Sequence, residues 1–124
     1  MRQRIDTPDM KKVLVINDEN DTNLLISTAL KNKGYLIDNS SKLETGKALF
    51  ESFKPDLLYL DINLPDGNGL KNVDYFKSLM PGTKVCMISA NEEVQKFNDY
   101  HADSYLSKPF SISQIIDKTQ ELIG

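Results

Sequence analysis

The chain carries one cysteine and one histidine in 124 residues. A single thiol, Cys86, excludes an internal disulfide framework and fits a reducing compartment, the cytoplasm. It lies inside the apolar stretch Val85-Cys86-Met87-Ile88, where a thiol serves as a buried packing group. The lone His101 has nothing around it that suggests a metal cluster, and it reads as a surface residue at a helix end. Basic runs are missing as well. None exceeds Lys11-Lys12 and the net charge is −3, which argues against direct nucleic-acid binding. No apolar run approaches the length of a membrane span, and Met1-Arg2-Gln3-Arg4 leads into no signal-peptide core. Internal repeats and low-complexity segments are absent. A hydrophobic share of 40% with 27% charged residues is ordinary globular usage, so a single soluble domain with a real core is expected over residues 11–124. Residues 1–10 are polar, contain Pro8, and read as a frayed tail.

What is present is an alternation of two patterns. Val13-Leu14-Val15-Ile16 is a short unbroken apolar run, as expected of a strand buried on both faces. Tyr35-Leu36-Ile37, Leu57 to Leu60, Lys84 to Ile88 and Ser104 to Leu106 read as further strands. Between the first two, Asp21 to Lys33 sets Leu24, Leu25, Thr28 and Ala29 at helical spacing and stops at Gly34. Ser41 with Glu44 makes a capping box for a second helix carrying Leu43, Phe50 and Phe53. Gly69 to Met80 is a third helix, preceded by Asp66-Gly67-Asn68-Gly69 as a turn. Glu92 to about Tyr100 reads as a weak polar helix, and Ser111 with Gln114 caps a last one. Strands joined by helical crossovers build a parallel sheet covered on both faces. The expected fold class is α/β, a flavodoxin-like doubly wound (βα)5 sandwich with strand order 2-1-3-4-5.

In such a sheet the strand ends open on one face. The first strand ends in Asn17-Asp18-Glu19, the third in Asp61, the fourth in Ser89-Ala90 and the fifth in Ser107-Lys108-Pro109-Phe110. Carboxylates, a hydroxyl and an amine thus converge on one pocket. Close carboxylates repel unless a cation joins them. A hard divalent ion, Mg²⁺ in cells, suits oxygen ligands and leaves positions for phosphate oxygens. A lysine opposite supplies a point charge for the same anion, and Ser89 supplies a hydrogen bond. The set suits in-line phosphoryl transfer to a carboxylate.

At these residues the chain resembles the receiver domain of two-component response regulators, or of a hybrid histidine kinase. The resemblance covers about residues 11–124 and rests on VLVINDEN (13–20), DLLYLDINLPDGNGL (56–70), VCMISA (85–90) and DSYLSKPF (103–110). It implies that Asp61 is the phosphoacceptor, charged by a sensor histidine kinase or a histidine phosphotransfer protein. It implies a metal site of Asp18, Asp61 and the backbone carbonyl of Asn63, with Asn17 and Glu19 contributing indirectly. Ser89 matches the hydroxyl position, Lys108 the lysine, and Tyr105 the aromatic switch that turns inward when the hydroxyl moves. Pro109 would follow a cis peptide. The output would be a downstream protein target or an effector domain, with no direct contact to nucleic acid or membrane. Asn63 and Asn91 occupy the variable positions that tune the phosphoryl lifetime.

Two stretches depart from the family pattern. Asn17 stands where an acid is usual, which predicts weaker Mg²⁺ binding. The segment 91–101 is about three residues short, nearly one helical turn, and His101 replaces the usual glycine. Two other functions fit parts of the pattern. One is a Mg²⁺-dependent phosphohydrolase with an aspartyl nucleophile, which wants a second acid where Asn63 stands. The other is a degenerate receiver that only binds protein. On the leading reading the chain is not an enzyme toward external substrates, though it assists its own phosphorylation and dephosphorylation.

Overall fold

The computed structural model describes residues 10–90 and 101–124. Strands β1 (Lys12–Ile16), β2 (Leu36–Ser40), β3 (Leu57–Asp61), β6 (Lys84–Ala90) and β7 (Ser104–Lys108) form one sheet in the order β2-β1-β3-β6-β7. Every pairing in it is parallel. Strands β4 (Asn63–Leu64) and β5 (Gly67–Asn68) are a two-residue antiparallel pair in the loop after β3. With that pair set aside, the order is the expected 2-1-3-4-5. Helices α1 (Asn20–Lys31), α2 (Leu43–Phe53), α3 (Val73–Leu79) and α4 (Ile112–Ile123) accompany the sheet. The helix expected over Glu92 to Tyr100 lies outside the described residues, as does most of the expected tail.

The strand period of two divides the core into layers. Leu14, Ile16, Leu58, Leu60, Val85 and Met87 share one cluster with Leu43, Phe50 and Phe76 of α2 and α3. Val13, Val15, Leu57, Tyr59, Cys86 and Ile88 share the other with Ile26, Leu30 and Ile115 of α1 and α4. Both faces of β1 and β3 are therefore dry, which is why their sequences are unbroken apolar runs. Burial pushes the Cys86 thiol up to about 12, so it is a packing group. The Tyr59 phenol is held above its usual range by burial, and its hydroxyl pairs with Thr119 Oγ1 at 2.7 Å. That pair ties β3 to α4 across the dry layer.

Three local expectations need correction. Helix α1 buries Asn23, Ile26, Ser27, Ala29 and Leu30, while Leu24 is 68% and Leu25 47% exposed. The helix rests on the sheet through the stripe that Ile26 and Leu30 define, one residue round from the leucines, and two small polar residues complete it. The third helix is shorter than expected: Leu70–Asn72 is a 3₁₀ turn and α3 begins at Val73. The capping box at the start of α2 is absent. Lys42 holds the N-cap position without a side-chain bond. Asp66, from the loop after β3, instead accepts from the Leu43 N–H at 2.7 Å and the Glu44 N–H at 2.9 Å. A carboxylate placed across the first amides of a helix satisfies orphan donors and complements the helix dipole, whatever its position in the chain. The box at α4 forms as expected, with Ser111 and Gln114 each accepting from the other's backbone amide. Gly34 ends the α1 region with φ 92, and the Lys108–Pro109 peptide is cis.

The α2 amides, Glu44 first and then Leu43, hold the Asp66 carboxyl below the usual aspartate range. A depressed carboxylate stabilises the fold above its unfolded pKa of about 4, and that contribution is lost as pH falls through the lower folded value. Asp66→Ala should lower the melting temperature at neutral pH, and the gap to wild type should close on acidification below about pH 4. Thermal melts of both proteins across pH test this, and a gap independent of pH contradicts the capping assignment.

Candidate functional site

The C-terminal edge of the sheet gathers the polar residues. Asp61 closes β3, yet its side chain is almost fully buried at 3% exposure. Lys108 closes β7, two strands away, because β6 lies between them. The register pairs Asp61 with Ile88 and Lys108 with Ala90, so Lys108 stands two residues further up the edge. From there its chain reaches back over the end of β6. Its ammonium is 3.2 Å from Asp61 Oδ2, 3.1 Å from Asn17 Oδ1 and 3.2 Å from Glu19 Oε1. The three N–H donors of a lysine thus have three acceptors, from the ends of two strands and the start of α1.

Each acceptor is held in turn. Asp61 Oδ1 accepts from the Asn63 N–H at 3.2 Å. Asn17 is fully buried and donates from Nδ2 to Asn23 Oδ1 at 3.1 Å, while Asn23 Nδ2 donates to the Asn17 carbonyl at 2.7 Å. This reciprocal pair fixes the turn between β1 and α1 with neutral groups only. Asn23 was not among the site residues expected from sequence. Its signal was its place on the buried α1 stripe, three residues before Ile26.

The charges oppose one another. Burial raises the Asp61 pKa, against the pull of Lys108 and the Asn63 N–H, and the Asp18 charge adds to the rise. For Lys108 burial works the other way, but Asp61 and Glu19 outweigh it and the pKa is raised. Asp18 is exposed at the mouth. Ser89 is buried, and its Oγ has no hydrogen-bond partner among the described residues. A buried hydroxyl without a partner costs free energy, and that cost is recovered when a ligand oxygen arrives. Tyr105 is 41% exposed on β7. Asn91 lies outside the described residues.

Among the described residues, no group of three or more His, Cys, Asp or Glu side chains gathers as a metal cage. Asp18 is near enough for its charge to raise the Asp61 pKa. One or two carboxylates with open positions fit Mg²⁺, which keeps several of its waters. Asn17 and Glu19 both address Lys108.

A profile of the response regulator receiver domain matches residues 13–120. The chain belongs to that family. It is 32% identical over 108 residues to the KDP operon transcriptional regulatory protein KdpE of Escherichia coli, covering 86% of this chain and 48% of KdpE. It is 30% identical to the probable transcriptional regulatory protein SilR of Salmonella typhimurium, covering 90% of this chain and 50% of SilR. The receiver thus spans about half the length of the curated relatives it matches. The receiver domain of NtrX from Brucella abortus superposes with a TM-score of 0.82 at 25% identity, over 90% of this chain and 97% of that one. The chemotaxis response regulator CheY4 of Vibrio cholerae shares the fold with a TM-score of 0.85 at 22% identity, over 92% and 99% of the two chains. Among the described residues no helix is long and apolar enough to cross a membrane.

Gly69 closes the loop of this receiver over its acidic residue. Its N–H donates to the Ile62 carbonyl at 2.7 Å, and a Cβ there would overlap the backbone carbonyl of Asp61. Backbone cannot swing aside as a side chain can. Gly69→Ala should cost about 1–3 kcal/mol, as overpacking does, and should weaken phosphoryl-analogue binding. Denaturant unfolding and a beryllofluoride titration measure the two effects. Asn17→Asp tests the missing acid, and Mg²⁺ titration should give tighter binding in the mutant than in wild type.

Proposed function

We propose that this receiver is the phosphoacceptor module of a two-component phosphorelay, with Asp61 taking a phosphoryl group from a phosphohistidine. The donor is a sensor histidine kinase or a histidine phosphotransfer protein. The observation that carries the reading is the buried Asp61 carboxylate, 3.2 Å from the Lys108 ammonium, with Ser89, a buried hydroxyl that has no partner among the described residues, one residue past the register partner of Asp61 on the neighbouring strand. An Asp61 carboxylate oxygen attacks phosphorus in line. The P–N bond to the donor imidazole breaks, and its electron pair stays on the imidazole nitrogen. Lys108 then neutralises charge on the transferred group, and Ser89 donates to one of its oxygens. Asp18, Asp61 and the Asn63 carbonyl would hold Mg²⁺, which neutralises phosphoryl oxygens when bound. The chain assists its own phosphorylation and dephosphorylation, and external metabolites are not its substrates.

A surface for the donor adjoins the site. Glu19, Thr22, Leu25, Lys108, Pro109 and Phe110 line a groove of about 390 Å³. Leu25 is exposed there, and Leu24 on α1 and Ile112 on α4 are exposed as well. Apolar residues at the rim of a charged pocket suit a partner that must bury its helix while presenting a phosphohistidine. Ser89 and Tyr105 would pass the change to an output surface, read by a protein target or an effector domain such as the names of KdpE and SilR imply. The site works where the compartment is reducing, and the cytoplasm fits. The hydrolase alternative lacks its second acid at Asn63, and the intact Asp61–Lys108 pair argues against a module that only binds protein.

Incubation with Mg²⁺ and beryllofluoride should give a stable adduct by NMR in wild type and none in Asp61→Asn. Steady turnover of a phosphate ester would favour the hydrolase, and no response would favour the binding-only module.

A further inference from the structure

We propose that Glu19 is a positioning residue that holds Lys108 in the resting site, carrying on the rim the negative charge that Asn17 does not supply at the floor. The proposal rests on the phosphoacceptor reading of Asp61. Glu19 occupies the N-cap position of α1 with extended backbone, φ −92 and ψ 100, yet its side chain makes no capping bond to the helix amides. The carboxylate turns to the lysine instead, with Oε1 at 3.2 Å from Nζ. The Thr22 hydroxyl donates to the same oxygen at 3.4 Å and orients it. Asn17 offers Lys108 only a neutral amide oxygen, at 3.1 Å. Among the described residues the charge around the ammonium therefore lies on Asp61 and Glu19.

The consequence follows from counting donors. In the resting site each N–H of the ammonium faces an acceptor. During transfer the phosphoryl oxygens arrive while the attacking Asp61 carboxylate still holds Lys108, so the ammonium has to give up one of its other two partners to meet them. Asn17 is fully buried and pinned by its pair with Asn23. Glu19 is 55% exposed and regains water when released. Glu19 is thus the partner that yields, and its hold on Lys108 slows acquisition of the phosphoryl group. A half-exposed ion pair is screened by salt, so this brake weakens as ionic strength rises.

Phosphoramidate, a small donor that needs no docking surface, isolates the effect. Initial labelling rates of wild type and Glu19→Gln are read by intact mass at saturating Mg²⁺ and increasing KCl. Glu19→Gln should label about two- to five-fold faster, the range a half-exposed pair provides. Added KCl should bring the wild-type rate up toward that of the mutant, whose own rate stays flat. A mutant rate equal to or below wild type overturns the proposal. Wild type that takes no Asp61-dependent label overturns the phosphoacceptor reading instead. The contact is tested without donor or metal by the ¹⁵Nζ resonance of Lys108, which should move in Glu19→Gln; an unmoved resonance overturns the proposal whatever the labelling shows.

Discussion

The contact between the Lys108 ammonium and the Asp61 carboxylate is the constraint around which the rest of the site is arranged. A buried carboxylate is costly unless a cation meets it, and here the cation comes from the far edge of the sheet. Lys108 meets that requirement from the last residue of β7, its chain passing over the end of β6. It also determines what the turn between β1 and α1 must offer, since two of the three acceptors of the ammonium belong to that turn. Lys108 in this way joins the ends of β1, β3 and β7 into one electrostatic unit.

The turn after β1 meets that requirement with little charge at its floor. Asn17 and Asn23 satisfy each other in a buried, neutral pair, so the floor keeps its shape with one carboxylate fewer. Asn17 meets Lys108 with a neutral amide oxygen, which leaves the charge on the other two partners of the ammonium. On the other side of Asp61, the loop from Ile62 to Gly69 is held at several points. The Asn63 amide bonds Asp61, the Gly69 amide bonds Ile62, and Asp66 at the tip anchors to α2. A polar site formed by backbone as well as side chains depends on such anchoring, because a shift of the loop moves the Asn63 amide away from Asp61.

Much of this was legible before the fold was seen. The unbroken apolar runs at Val13–Ile16 and Leu57–Leu60 announced strands covered on both faces, and the strand ends pointed to the meeting of Asp61 and Lys108. The capping box at Ser111 and Gln114 was readable because both partners lie within one turn of helix. The same signal at Ser41 and Glu44 misled, since Asp66 satisfies those amides from more than twenty residues away. On α1 helical spacing groups Leu24, Leu25, Thr28 and Ala29, and of these only Ala29 is buried. Helical periodicity gives a stripe but not its rotation, and the sheet chose the stripe through Ile26 and Leu30.

The sequence by itself determined the apolar runs that form the strands and the chemical groups at their ends, because these follow from local periodicity, while right-handed crossovers narrowed the strand order to a few doubly wound choices. The tertiary structure decided which partners those groups take. Lys108 meets Asn17 across 91 residues of chain and Asp61 across 47. No local pattern encodes which acceptor an ammonium will find at that separation. Only the packed sheet sets the distances, and with them the turning of Glu19 away from its helix and the neutral Asn17–Asn23 floor beside Asp61.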